Sequence, residues 1–116
     1  MERAYLVRRV TAYRLCEIMR KNQFDGSEAR AVEGVMDCDL LFIDDLGTEP
    51  QTKNTSGYLF QVINERNMND RHTIISTNLN PERMECMYEQ RVASRLMDVS
   101  RTTAIRFYGE DLRLRK

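Results

Sequence analysis

Leu40-Leu41-Phe42-Ile43-Asp44-Asp45 sets four consecutive apolar residues ahead of two acids. An unbroken apolar run of this length suits a strand buried on both faces of a parallel sheet. The acids then sit at its carboxyl end, where open α/β sheets bind ligands. There Asp44 is placed to hold a divalent ion, usually through water, and Asp45 to orient or deprotonate an attacking water. A core strand that ends in a charged turn accounts for the same six residues without chemistry.

Working outward, Ile74-Ile75-Ser76-Thr77-Asn78 repeats the layout, with apolar residues giving way to small polar ones and an amide. Asn78 at that edge can hydrogen-bond a water or phosphate oxygen; alternatively it caps the helix that follows Pro81. Upstream, Tyr5–Val10 is β-prone. Thr11 is placed to cap a helix with Ala12, Leu15, Cys16 and Met19 on one face. Phe24-Asp25-Gly26-Ser27 breaks that helix, and Ser27 caps a shorter one ending near Met36. Leu46–Asn54 reads as a polar loop. From about Thr55 a long helix puts Tyr58, Leu59, Val62 and Ile63 on one side. Helical pattern resumes at Pro81 and continues through Val92 and Leu96, and Thr103–Phe107 reads as a last strand. Strands separated by helices predict βαβ units, hence an α/β fold with a mostly parallel sheet.

The whole chain has 116 residues, room for one domain. Its 41% apolar and 31% charged content exclude a disordered chain. No apolar run approaches the roughly 20 residues of a membrane span, and the N-terminus lacks a signal-peptide core. Cys16, Cys38 and Cys86 are odd in number and far apart, which argues against a disulfide framework or zinc site and for a reducing cytoplasm. Charge is uneven. Residues 31–50 hold six acidic and no basic side chains, between basic arms at 1–30 and 71–116. That pattern suits a divalent-metal site near phosphate- or nucleic-acid-facing surfaces, and equally an ordinary solvated surface.

Arg91 and Arg95 stand i, i+4 on a predicted helix and so share a face. Like charges at that spacing repel mildly unless an anion compensates, which a phosphate from a neighbouring subunit would do; pairing with Glu85 or Glu89 is the local alternative. His72, the only histidine, reads as structural or solvated. Met84 and Met87 read as core fillers.

The order LLFIDDLGTEP, INER, ISTNL, ERVASRL, FYGEDLR resembles the AAA+ ATPases of the DnaC/IstB group, the bacterial helicase loaders, over nearly the whole chain from Tyr5 onward. The resemblance implies a P-loop NTPase three-layer fold that binds ATP and Mg2+. It makes Asp44 and Asp45 the Walker B acids and metal ligands, and Asn78 the polar sensor. Arg91 and Arg95 become the box VII arginines that act across a subunit boundary, and Arg113 the second sensor, which touches nucleotide. It implies a cytoplasmic DNA-replication protein whose partners are a replicative helicase, single-stranded DNA and further copies of itself. A transposition helper of the IstB kind, or a remnant acting only through protein contacts, are the other readings.

Two departures stand out. Many AAA+ proteins carry Glu where this chain has Asp45. More importantly, the glycines at 26, 34, 47, 57 and 109 never fall in a GxxxxGK[ST] spacing, and no Gly-Lys pair exists. The expectation is therefore a partial AAA+ domain over 1–116, from Walker B to sensor 2. Its sheet lacks the central strand that leads into the phosphate loop. A fragment, a gene model begun at an internal Met and a decayed paralogue all fit. Without that strand, Thr73–Thr77 becomes an edge, and residues 103–107 are expected to pair with it directly.

Overall fold

The computed structural model describes residues 4–88 and 90–96, with 53, 81, 91, 95 and 96 described as backbone only. Three strands, β1 (Val7–Thr11), β2 (Leu40–Leu46) and β3 (His72–Thr77), alternate with five helices: α1 (Ala12–Asp25), α2 (Ala29–Asp37), α3 (Lys53–Met68), α4 (Pro81–Met87) and α5 (Gln90–Leu96). The sheet is parallel in the order β1-β2-β3. Val7 to Thr11 pair with Leu40 to Asp44, and Leu40 to Ile43 pair with His72 to Ile75. An irregularity between Ile43 and Leu46 shifts the register before Leu46 meets Thr77.

Local chemistry sets most boundaries. The Thr11 hydroxyl accepts the Arg14 N–H at 3.0 Å and starts α1, as expected. Gly26, at φ 71°, ends it and donates its N–H to the Asn22 carbonyl, a left-handed cap that a β-carbon would strain. Ser27 does not cap α2: its N–H donates to Asp25 Oδ1, and the helix begins at Ala29 without a side-chain cap. Helix α3 begins two residues before Thr55 because Thr52 and Thr55 form a reciprocal capping box. The cap of α4 is Asn80, not Asn78, with Pro81 in the first turn.

The core lies on one face of the sheet. Two crossovers step in the same direction across the sheet, and with the right-handed sense that parallel β–α–β connections take they carry their helices to the same side. Leu41 and Ile43 accordingly pack with Ala12 and Leu15 of α1 and Leu59 and Val62 of α3, while Val10 and Ile75 flank them. The opposite face, by strand alternation, holds Val7, Leu40, Phe42 and Ile74. Leu40 and Phe42 are only half-buried, and Val7 and Ile74 are exposed. The expectation of a strand buried on both faces is therefore corrected: among the described residues helices cover one face only. Met84 fills the core as expected, but Met87 is exposed.

Beyond β3, the chain departs from the single helix expected over 81–96. Tyr88 is extended, at φ −111° and ψ 155°, and separates α4 from α5. Val92 and Ala93 return α5 to the core, where it packs on α3. Among the described residues β3 pairs with β2 alone. The predicted last strand at 103–107, its pairing with β3, and Arg113 lie outside the described residues.

Candidate active site

Parallel pairing brings the carboxyl ends of all three strands to one edge, and Asp44 stands there with both oxygens engaged. Ser76 on β3 donates its hydroxyl to Asp44 Oδ1 at 2.5 Å, and the Arg9 guanidinium on β1 pairs with Oδ2. The Ser76 bond first, and Arg9 second, hold the Asp44 carboxyl below the usual carboxylate range. Asp44 is thus a carboxylate at neutral pH, fixed in direction by its two neighbours.

Asp45 is exposed and lies within β2 at the irregularity between Ile43 and Leu46, with φ 59°, a left-handed geometry that Asp tolerates better than most residues. Its N–H donates to Ser76 Oγ at 3.1 Å, and its carbonyl accepts from the Thr48 N–H and hydroxyl. Ser76 therefore touches both acidic positions. Asn78 lies exposed two residues further on, at the same edge. Arg91 and Arg95 sit one turn apart on α5, as their spacing required.

Sequence reading missed Ser76, Arg9 and Glu49. Glu49 was assigned to a polar loop, yet it is 2% exposed. Its Oε1 accepts the Gly47 N–H at 2.9 Å, and its Oε2 accepts the Tyr88 hydroxyl at 2.5 Å. The acidic run at 31–50 is also not one patch. Asp39 lies at the far end of β2 and pairs with Arg71, Glu49 is buried, and only Asp44 and Asp45 reach the strand ends. Among the described residues, no three His, Cys, Asp or Glu side chains gather to hold a metal. Magnesium takes one or two carboxylates and completes its octahedron with water and substrate phosphates. Asp44 and Asp45 fit that donor set for a metal–nucleotide complex and do not make a closed metal cage.

Residues 2–116 match the family model of IstB-like ATP binding proteins. The chain belongs to that family. The Escherichia coli K12 protein YdaV, itself uncharacterised, is 28% identical over 88 residues, which is 75% of this chain and 36% of YdaV. Among solved structures, the DnaC helicase loader matches with a TM-score of 0.69 at 19% identity, over 78% of this chain and 56% of that one. AMPPCP-bound DnaA from Aquifex aeolicus matches at 0.68 and 20% identity, over 79% of this chain and 29% of DnaA. At these identities the matches speak for the fold, which is the α/β AAA+ fold. The IstB-like chain thus spans about a third of its curated relative's length. No helix among its described residues is long and apolar enough to cross a membrane.

Beneath the site, Cys16 is buried beside Glu49. Burial first, and the Glu49 charge second, push its thiol from 9.0 to about 12. Burial and the bond to Glu49 likewise push the Tyr88 phenol well up. Above about pH 9 for Cys16, and only above about pH 10 for Tyr88, the folded chain keeps a proton that the unfolded chain gives up. Stability is therefore intact below about pH 9 and falls above it, by up to about 1.4 kcal/mol per pH unit for Cys16, with Tyr88 adding to the loss only above about pH 10. Urea unfolding at pH 8 and pH 10.5 checks this, and Cys16→Ala should flatten the alkaline loss.

Proposed function

We propose that this chain supplies the acidic and arginine elements of an ATP-driven machine of the helicase-loader kind, acting in DNA replication. The observation that carries this reading is Asp44, an ionised carboxylate at a parallel strand end, aimed by Ser76 of the neighbouring strand with Asp45 exposed beside it. In this reading Asp44 holds Mg2+ through water, Asp45 orients the attacking water, and Asn78 senses the phosphate. Arg91 and Arg95 stabilise charge on a nucleotide bound by a neighbouring copy, and Arg113 touches nucleotide as the second sensor. The phosphate cradle comes from a segment with a GxxxxGK[ST] loop, which this sequence does not contain. The partners are a replicative helicase, single-stranded DNA and further copies of the same protein, in the cytoplasm. The match to IstB-like proteins favours a second reading, a helper ATPase for a transposase. A neighbouring gene for a transposase or for a replication protein separates the two.

Without a cradle the chain by itself is expected to bind Mg-ATP negligibly and hydrolyse none. Isothermal titration tests this, and micromolar affinity would contradict it. The arginine role is tested in an intact ATPase that joins this segment to a phosphate loop. Arg95→Ala should lower hydrolysis, and mixing that variant with one disabled at the nucleotide site should restore part of it, since some composite sites are then whole. Absence of rescue in every mixture points instead to pairing of Arg95 within its own helix.

A further inference from the structure

The loop after the acidic strand end and the helix that carries Arg91 and Arg95 are joined through one buried carboxylate. Glu49 is 2% exposed and Tyr88 3%, so water cannot replace either partner of the 2.5 Å bond between them. The other Glu49 oxygen accepts the N–H of Gly47, two residues past Asp45. Gly47 is itself constrained. It sits at φ 109°, and a β-carbon there would stand 3.0 Å from Leu79, in the segment that leads into α4. On the far side of the bond, Tyr88 is extended and closes α4, and Val92 and Ala93 seat α5 in the core. A chain of contacts thus runs from the end of β2 through Gly47, Glu49 and Tyr88 towards α5.

We propose that Glu49 is a positioning residue: by bridging Gly47 and Tyr88 it makes the acidic loop and the arginine-bearing helix move as one unit. The functional meaning rests on the roles proposed above for Asp44, Asp45, Arg91 and Arg95, whereas the mechanical link does not. The bridge requires two acceptors, which a carboxylate supplies. Glutamine can accept the Gly47 N–H with its oxygen but then turns its amide N–H to the Tyr88 hydroxyl, which must change from donor to acceptor. Alanine can do neither, and leaves the phenol and the amide buried without partners.

Hydrogen exchange of the chain as it stands tests the link without nucleotide. Tyr88→Phe removes a single hydroxyl and keeps the ring in place. It should speed exchange across residues 46–52 roughly five- to thirty-fold, although it alters nothing in that loop. Glu49→Ala should speed exchange across residues 90–96 by a similar factor, because coupling between two segments is reciprocal. Glu49→Gln, which keeps one of the two bonds unchanged, should fall between wild type and Glu49→Ala at both, and α1 should be unchanged in all three variants. The proposal is overturned if each substitution loosens only its own segment. It is equally overturned if exchange rises uniformly through α1. Failure of the proposed ATPase roles leaves this result standing, so the two are told apart.

Discussion

Arg66→Met is expected to cost about 3–5 kcal/mol of folding stability. Arg66 is fully buried, yet no carboxylate pairs with it in the hydrogen-bond pattern it makes. Its Nη1 donates to the carbonyls of Val35, Met36 and Cys38 at 2.8, 3.1 and 2.9 Å. Nη2 donates to the His72 carbonyl at 2.6 Å, and Nε to the Thr73 hydroxyl at 2.9 Å. The first two acceptors lie in the last turn of α2, where a cation also meets the negative end of the helix dipole. One guanidinium therefore ties α2, the entry to β2 and the start of β3 to helix α3. Methionine fills much of the volume and satisfies none of these carbonyls. Lysine, with a single nitrogen, cannot reach all of them, so Arg66→Lys should recover less than half of the loss. Urea unfolding followed by circular dichroism measures both. A loss below about 1 kcal/mol for Arg66→Met would show that the carbonyls find other partners.

The three described strands, their order in the chain and the edge where their ends meet were readable, because apolar runs and the turn chemistry around them are local. Leu40–Ile43 and Ile74–Ile75 announce strands regardless of what lies beside them. Thr11 and Pro81 announce helix starts for the same reason. The errors come from contacts distant in sequence. Nothing between Pro81 and Leu96 predicts a break, since Tyr88 is held in an extended conformation beside its bond to a residue 39 positions away. The cap choices at Ser27, Thr52 and Asn80 turned on which of several small polar residues won the helix N–H groups. That the helices among the described residues cover one sheet face only follows from the direction of two crossovers, which periodicity does not encode.

The site was half readable for the same reason. Asp44 and Asp45 stand in a row at a strand end and declare themselves. Ser76 is visible only once Ile43 is set against Ile75, which brings the next residues of both strands together. A register drawn from the apolar pairs would have found it. Arg9 gives less warning, as one of two adjacent arginines in a short edge strand. Glu49 gives none, because an acid in a loop with Gly47 and Pro50 looks solvated until Tyr88 arrives from the end of α4.

The role of Asp44 is the centre of this account, and its removal is the second large effect expected. Ser76 and Arg9 hold the carboxylate ionised and directed, so an amide of the same shape keeps the fold but loses the charge that a metal needs. Phosphate contacts from the cradle remain, so nucleotide binding should persist. The charge stabilisation a metal lends to phosphoryl transfer amounts to several kcal/mol, and its loss should slow hydrolysis roughly a hundred-fold or more. The direct measurement compares Asp44→Asn with wild type in an intact ATPase that joins this segment to a phosphate loop, reading ATP affinity and turnover side by side. The account predicts affinity within about threefold of wild type with turnover all but abolished. Unchanged turnover would remove Asp44 from the metal site and contradict it.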